Sequence, residues 1–241
     1  MARAFSREGA RVVLAGRTRA PLDAVCAEIS ASGGVASTAV VDALDSEAVD
    51  RQIADVVQQA GRIDVLFNAI GLEDRQGTPL LDMTLDDVIH PVIVGLRTHF
   101  HTARAAGRWM VKQRSGVIMT VTAGPAREAT ANIGGFGVAC EAIEALWRNL
   151  AAELGPHGVR AVCLRSAGSP DTPALRDVLA VHARMADMTF EDALAGAGRG
   201  TLLQRLPMVA EVAHVAAMMA SDRASAMTGT FVNVTCGSRV D

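Results

Sequence analysis

The chain has 241 residues, 23 Lys and Arg against 26 Asp and Glu, a formal net charge of −3 at pH 7, and half of its residues are hydrophobic. That length fits one α/β domain with a substantial core, while the charge balance gives no electrostatic case for nucleic acid and no apolar run is long enough to span a membrane. There is no charged-then-apolar leader, and Cys26, Cys140, Cys163 and Cys236 match no metal spacing, so the expectation is a cytoplasmic protein with reduced thiols and no metal.

In chain order, residues 2–8 read as the end of a helix closed by Gly9, and 11–15 as an apolar strand followed by Gly16-Arg17-Thr18-Arg19. Residues 21–32 form an amphipathic helix with Leu22, Val25 and Ile29 on one face. A strand over 35–41 ends at Asp42, Asp45-Ser46 starts the next helix, and Ile53, Val56 and Val57 face inward along it. A buried strand over 62–67 leads into Asn68-Ala69-Ile70-Gly71. Thr84-Leu85-Asp86-Asp87 fits a capping box and opens a helical stretch to residue 112, with an interruption expected near Pro91. His99 and His101, two apart on that helix, point to different faces and cannot share a metal.

Residues 116–122 read as a buried strand, and a helix over 135–154 follows a small-residue loop. Leu146, Leu150 and Leu154 are expected to face inward, and Glu144, Arg148 and Glu153 outward. Gly155-Pro156-His157-Gly158 stops the helix, and a second buried strand begins at Val159, so the unit is a right-handed parallel crossover. Residues 166–200 form an Ala- and Met-rich segment with a second capping box at Thr189-Phe190-Glu191-Asp192. A helix over 209–221 and a strand over 227–234 complete the chain. Apolar strands alternating with amphipathic helices specify a parallel, doubly wound α/β sheet in one domain over 1–241.

Ala151-Ala152-Glu153-Leu154-Gly155-Pro156-His157-Gly158-Val159-Arg160 closely resembles the "LAxELGPxGIRV" segment of the short-chain dehydrogenase/reductase family. Asn68 and Gly71 match that family's "NNAG" motif in part. Met227-Thr228-Gly229 with Val232-Asn233-Val234 matches its last strand. The resemblance implies a Rossmann-like fold and an NAD(P)-linked oxidoreductase acting on a carbonyl/alcohol pair. It also implies a strand and a Gly-rich turn before Met1, about twenty residues of a complete doubly wound fold, so that the first strand is apparently absent.

The resemblance places the family's catalytic Asn, Ser, Tyr and Lys at Gly95, Ala123, Phe136 and Cys140. All four polar groups are gone. Independently of any register, the chain contains no tyrosine and its only lysine is Lys112, so a Tyr/Lys proton-transfer pair cannot exist in it. Cys140 as a nucleophile would need a base or positive field, and Glu141 and Glu144 nearby push the other way. Thr122 adjoins the lost Ser, but strand alternation aims it elsewhere.

The cofactor positions that the resemblance carries over are Arg17, Asp42, Asn68 and Gly71. Arg17, where NAD-using members keep an acid one residue earlier, implies NADP(H); the alternative is a solvated loop arginine and no cofactor. Residues 166–200 take the place of the family's substrate lid and suggest a small apolar ligand. The helices over 84–112 and 135–154 correspond to the family's subunit interface, with Trp109 and Trp147 either anchoring it or packing in their own core. Three readings stand: a family-typical oxidoreductase, a non-catalytic homo-oligomeric or partner-bound subunit pairing with an intact relative, and non-redox chemistry in the same cleft.

Overall fold

The computed structural model describes residues 1–240. Its strands form two parallel sheets. One pairs β1 (Val12–Gly16) with β2 (Ala36–Val40). The other has the order β3 (Val65–Asn68), β4 (Gly116–Ala123), β5 (Val159–Ser166), β6 (Thr230–Val234). The β4–β5 ladder is the longest, running in register from Gly116 opposite Val159 to Ala123 opposite Ser166. Among the described residues no strand pairs with the second edge of β1 or of β3, which is the split expected where two strands lack their shared neighbour.

Helices cover both faces. On one lie α3 (Ser46–Ala60), α4 (Leu85–Gln113) and α5 (Phe136–Leu154), packed on Ile118, Ala161 and Cys163. On the other, α1 (Ala2–Arg7) and α8 (Val209–Ala220) cover Val117, Met119, Val162 and Leu164. Strands β4 and β5 are largely apolar and buried on both faces, whereas β1 and β2 are only partly buried. Helix α1 joins the two sheets. Its Phe5 ring stands 6.2 Å from that of Phe67 on β3, and its Arg3 pairs at 2.6 Å with Glu28 of α2 (Arg19–Ala31).

Local signals hold the ends. Asp45 caps α3 by accepting from the Glu47 and Ala48 amides, and Thr84 and Asp87 form the reciprocal box that opens α4. Helix α4 runs unbroken through Pro91, contrary to the interruption expected there. Pro91 is buried against Gly135 at the start of α5, where an added Cβ would collide with the Val88 carbonyl and lie 2.8 Å from Pro91 Cγ. Close helix packing outweighs the one backbone hydrogen bond that proline removes. Gly158 closes the short turn Gly155–His157 that follows α5, in the left-handed region (φ 77°), where a Cβ would be 2.6 Å from the Arg114 carbonyl oxygen. Among the described residues no helix is long and apolar enough to cross a membrane.

Glu144 corrects the amphipathic reading of α5. It is fully buried, not exposed. Phe136, Cys140 and Glu144 repeat every four residues down the face that packs on the sheet, and Arg165 at the end of β5 meets the carboxylate there. Arg165 Nε donates to Oε1 at 3.0 Å and Nη2 to Oε2 at 2.7 Å, while Thr122 Oγ1 donates to Oε1 at 2.9 Å. Trp147, one turn on, is core, its ring 5.4 Å from that of His99. Trp109 is half-buried, with the Lys112 ammonium 4.7 Å from its ring centre.

A buried charge stripped of its partner is more costly than the pair is beneficial. Glu144→Ala should therefore lower the unfolding free energy by about 3–5 kcal/mol, whereas the double replacement Glu144→Leu/Arg165→Met should lose far less. Urea unfolding of the two variants measures the difference; equal losses would mean that the pair does not behave as an isolated buried charge pair.

Candidate active site

The carboxyl ends of parallel strands are where α/β folds keep ligands. Here that rim is built from the residues following β1, β2, β3, β4 and β5. Asn68 ends β3 and is buried; its Nδ2 donates to Thr102 Oγ1 of α4 at 2.9 Å. It ties β3 to α4 and presents no free polar atom to the crevice from its amide nitrogen. Gly71, beyond it, is exposed and opens onto empty space, with nothing within 4 Å of where a Cβ would sit. Asp42, after β2, accepts from the Leu44 amide at 2.9 Å and so shapes the turn into α3. Arg17, after β1, reaches Glu73 in the loop after β3, with Nη1 2.8 Å from Oε1. Arg17 and Glu73 therefore bridge the rim from one sheet to the other.

The four positions at which the sequence resemblance implied catalytic groups, Gly95, Ala123, Phe136 and Cys140, carry no carboxylate, amine, imidazole or hydroxyl. Gly95 lies inside α4 where a Cβ would be 3.1 Å from Leu72 and 3.2 Å from Ile143, so apolar packing surrounds it. Ala123, at the end of β4, and Phe136, the first residue of α5, are half-buried against the same core. Cys140 is buried, and burial pushes its thiol up to about 12, with the negative charges of Glu144 and Asp74 acting in the same direction. Thiolate, the reactive form, is thus suppressed.

The polar group that sequence reasoning missed is the buried cluster of Glu144, Arg165, Thr122 and Cys163, one turn below Cys140. Thr122 is buried, and its hydroxyl is occupied by Glu144 and by Cys163 Sγ at 3.2 Å. Burial also pushes the Cys163 thiol up to about 12. An arginine ending an otherwise apolar strand was the available signal. His99 is likewise structural. Its ring bridges the Gly95 carbonyl and Thr120 Oγ1 at 2.9 and 3.0 Å, and burial lowers its pKa to about 4, so it is neutral. His101 faces the Ala43 carbonyl instead. Among the described residues no His, Cys, Asp or Glu cluster could hold a metal.

Residues 166–200 contain a turn and two helices, α6 (Pro173–Met185) and α7 (Phe190–Arg199). Thr172 caps α6, and Thr189 caps α7 by accepting from the Asp192 amide. Helix α6 rests on the loop after β3: Val181 fills the space beside Gly77, and His182 Nε2 lies 3.0 Å from Gln76 Oε1, whose amide donates to Asp74. A cavity of about 780 Å³ lies beside the segment that follows β4. It opens between the loop 125–134 and the outer face of α5, with Leu80, Ile133, Val138 and Ala142 among its walls.

Comparison with known proteins agrees with this architecture. The family profile described as "Enoyl-(Acyl carrier protein) reductase" matches residues 1–239. The short-chain reductase protein NovJ of Streptomyces niveus is 30% identical over 234 residues, covering 97% of this chain and 86% of NovJ. The 3-oxoacyl-[acyl-carrier-protein] reductase FabG of Thermotoga maritima is 25% identical over 238 residues, covering 97% of this chain and 89% of that protein. Among solved structures, sorbitol-6-phosphate 2-dehydrogenase SrlD of Erwinia amylovora shares the fold with a TM-score of 0.93 at 22% identity, covering 100% of this chain and 94% of SrlD. A 7α-hydroxysteroid dehydrogenase complexed with NADH and 7-oxo glycochenodeoxycholic acid superposes with a TM-score of 0.83 at 25% identity, covering 98% and 87%. Sheet order, strand-end crevice and full-length likeness together make this chain a member of the short-chain dehydrogenase/reductase family of oxidoreductases.

Proposed function

We propose that this chain has kept its family's nicotinamide-dinucleotide crevice and lost the proton relay, and that it serves as a non-catalytic subunit. The observation that carries this reading is the chemistry of four places. Gly95, Ala123, Phe136 and Cys140 offer packing where a relay needs an amide, two hydroxyls and an amine. No other tyrosine exists to substitute, and Lys112 lies in the last turn of α4.

The fit to a dinucleotide is to its adenosine half. Gly71 is exposed at the end of β3, and Arg17 and Asp42 follow β1 and β2 on the same rim. Arg17 is the one of these that could meet a 2′-phosphate, the NADP(H) alternative. Asn68 contributes rigidity, holding β3 to α4. A bound nicotinamide dinucleotide supplies hydride in this family. Proton transfer by a positioned side chain typically adds about 10²–10⁴-fold, and nothing at these four positions provides it. Segment 166–200, with its exposed Met185 and Met188, supports a small apolar ligand as the second occupant.

Helices α4 and α5 support the subunit role. Leu85, Ile89, Ile93 and Phe100 of α4 and Val138 of α5 are exposed, an apolar stripe of the kind that marks an interface. A second copy or a related intact subunit is the proposed occupant. The four free cysteines support a reducing, cytoplasmic compartment.

Calorimetric titration with NADH and NADPH, paired with a carbonyl-reduction assay, should find binding without turnover by the isolated chain. Turnover abolished by Arg17→Gln would restore the oxidoreductase reading, and absence of binding would remove the dinucleotide from it.

The alternative of Cys140 as a nucleophile makes its own prediction. Iodoacetamide at pH 8 should modify Cys26 and Cys236, both partly exposed, and spare Cys140 and Cys163 until the chain unfolds. Peptide mass spectrometry reads the pattern, and rapid labelling of Cys140 in the folded protein would reopen that chemistry.

For the interface, Ile93→Asp combined with Val138→Asp should shift the sedimentation coefficient from that of an assembly to that of a monomer. An unchanged coefficient would remove the α4–α5 face from the reading.

A further inference from the structure

Helix α6 bridges the strand ends. It begins at Pro173, shortly after β5 ends at Ser166, and its second half meets the loop after β3 at Gly77. Strand β4 lies between β3 and β5 in the sheet, so the helix passes over the end of β4, where the Cys140 thiol bonds to the Ala123 backbone. Its 13 residues make a helix about 20 Å long, ample for the roughly 10 Å that separates alternate strands of a sheet. Of those residues only Ala183 is buried. The helix is therefore held at its ends more than by a core of its own.

The far end is held by two contacts side by side. Gly77, with a φ of 83°, forms a notch: a Cβ there would collide with Val181 Cγ1 and lie 3.3 Å from Met185 Sδ. Next to it, Gln76 Nε2 donates to Asp74 Oδ2 at 2.7 Å, which turns the amide so that Oε1 lies 3.0 Å from His182 Nε2. An amide oxygen only accepts, so the imidazole donates from Nε2, and it can do so neutral or protonated. The loop that receives these groups is itself fixed. The Gly77 amide donates to the Asn132 carbonyl at 2.7 Å, and the Arg75 guanidinium lies 3.3 Å from Asp87 of α4.

We infer that α6 is a lid closed by this latch, and that it opens about the turn 167–172 while the sheet stays folded. Val181 in the Gly77 notch and His182 on Gln76 hold it shut, and Asp74 sets the orientation of Gln76. The lid governs access to the space over Ala123 and does so whether or not the chain is catalytic. Released from the loop, a 13-residue helix is marginal in water, so opening exposes its amides to solvent.

Hydrogen exchange read by mass spectrometry on the full chain tests the latch without any ligand. In the unmodified chain, amides of residues 173–185 should exchange by local opening with little dependence on urea, whereas those of 136–154 should exchange only with global unfolding. Gln76→Ala and His182→Ala should each speed exchange across 173–185 about fivefold and leave 136–154 unchanged. The two together should match the single variants, because they share one hydrogen bond. Val181→Ala, which empties the notch, should speed the same segment. Unchanged exchange in 173–185 in the Gln76 and His182 variants would overturn the latch. If 173–185 follows 136–154 through urea in the unmodified chain, α6 has no opening of its own and the lid is overturned, whatever the variants do.

Discussion

The structure turns on one buried ion pair. Glu144 and Arg165 place two opposite charges between α5 and the ends of β4 and β5, where neither reaches water freely. Removing charges from water costs several kcal/mol per ion, which only good geometry and further hydrogen bonds offset. Both conditions are met: the guanidinium forks onto both oxygens, and Thr122 adds a third donor. Such a pair tolerates little sliding, because a shift of one residue along the helix would leave a buried charge alone. It therefore fixes the rotation and height of α5 over the sheet, and with them everything else that α5 carries.

What α5 carries to the rim is inert. Cys140 and Phe136 stack one and two turns above Glu144, facing Ala123 and the strand ends. Gly95 completes the pattern on α4, since Leu72 and Ile143 close around it and leave no room for a longer polar side chain without moving them. A longer polar side chain introduced at Gly95 would therefore meet a filled site.

Much of this was legible in the sequence, and the failures are instructive. Turn chemistry and capping were read correctly because they are local: Thr84 with Asp87, Asp45, Thr189 with Asp192, and Gly158 with its positive φ each act within a few residues. The doubly wound class followed from apolar strands alternating with helices. Glu144 was misplaced because charge was taken as a mark of solvent, and its partner Arg165 lies on another element, invisible to periodicity. Pro91 was taken as a break because its compensation, the close approach of Gly135, also comes from elsewhere in the chain. The pairing of Arg17 with Glu73 was missed for the same reason. In each case tertiary partners overrode a local rule.

These misses bear on function unequally. Departures from local rules gather at sites where a fold does something besides being stable. The buried pair under Cys140 serves register and has a purely structural account. Glu73 is one of six non-glycine residues at positive φ among the described residues, and an exposed ion pair such as Arg17–Glu73 contributes only about 0–1 kcal/mol. Packing around Gly95 and Cys140 is apolar, whereas the strand-end rim carries Arg17, Asp42 and Glu73. On that asymmetry the proposed non-catalytic role rests.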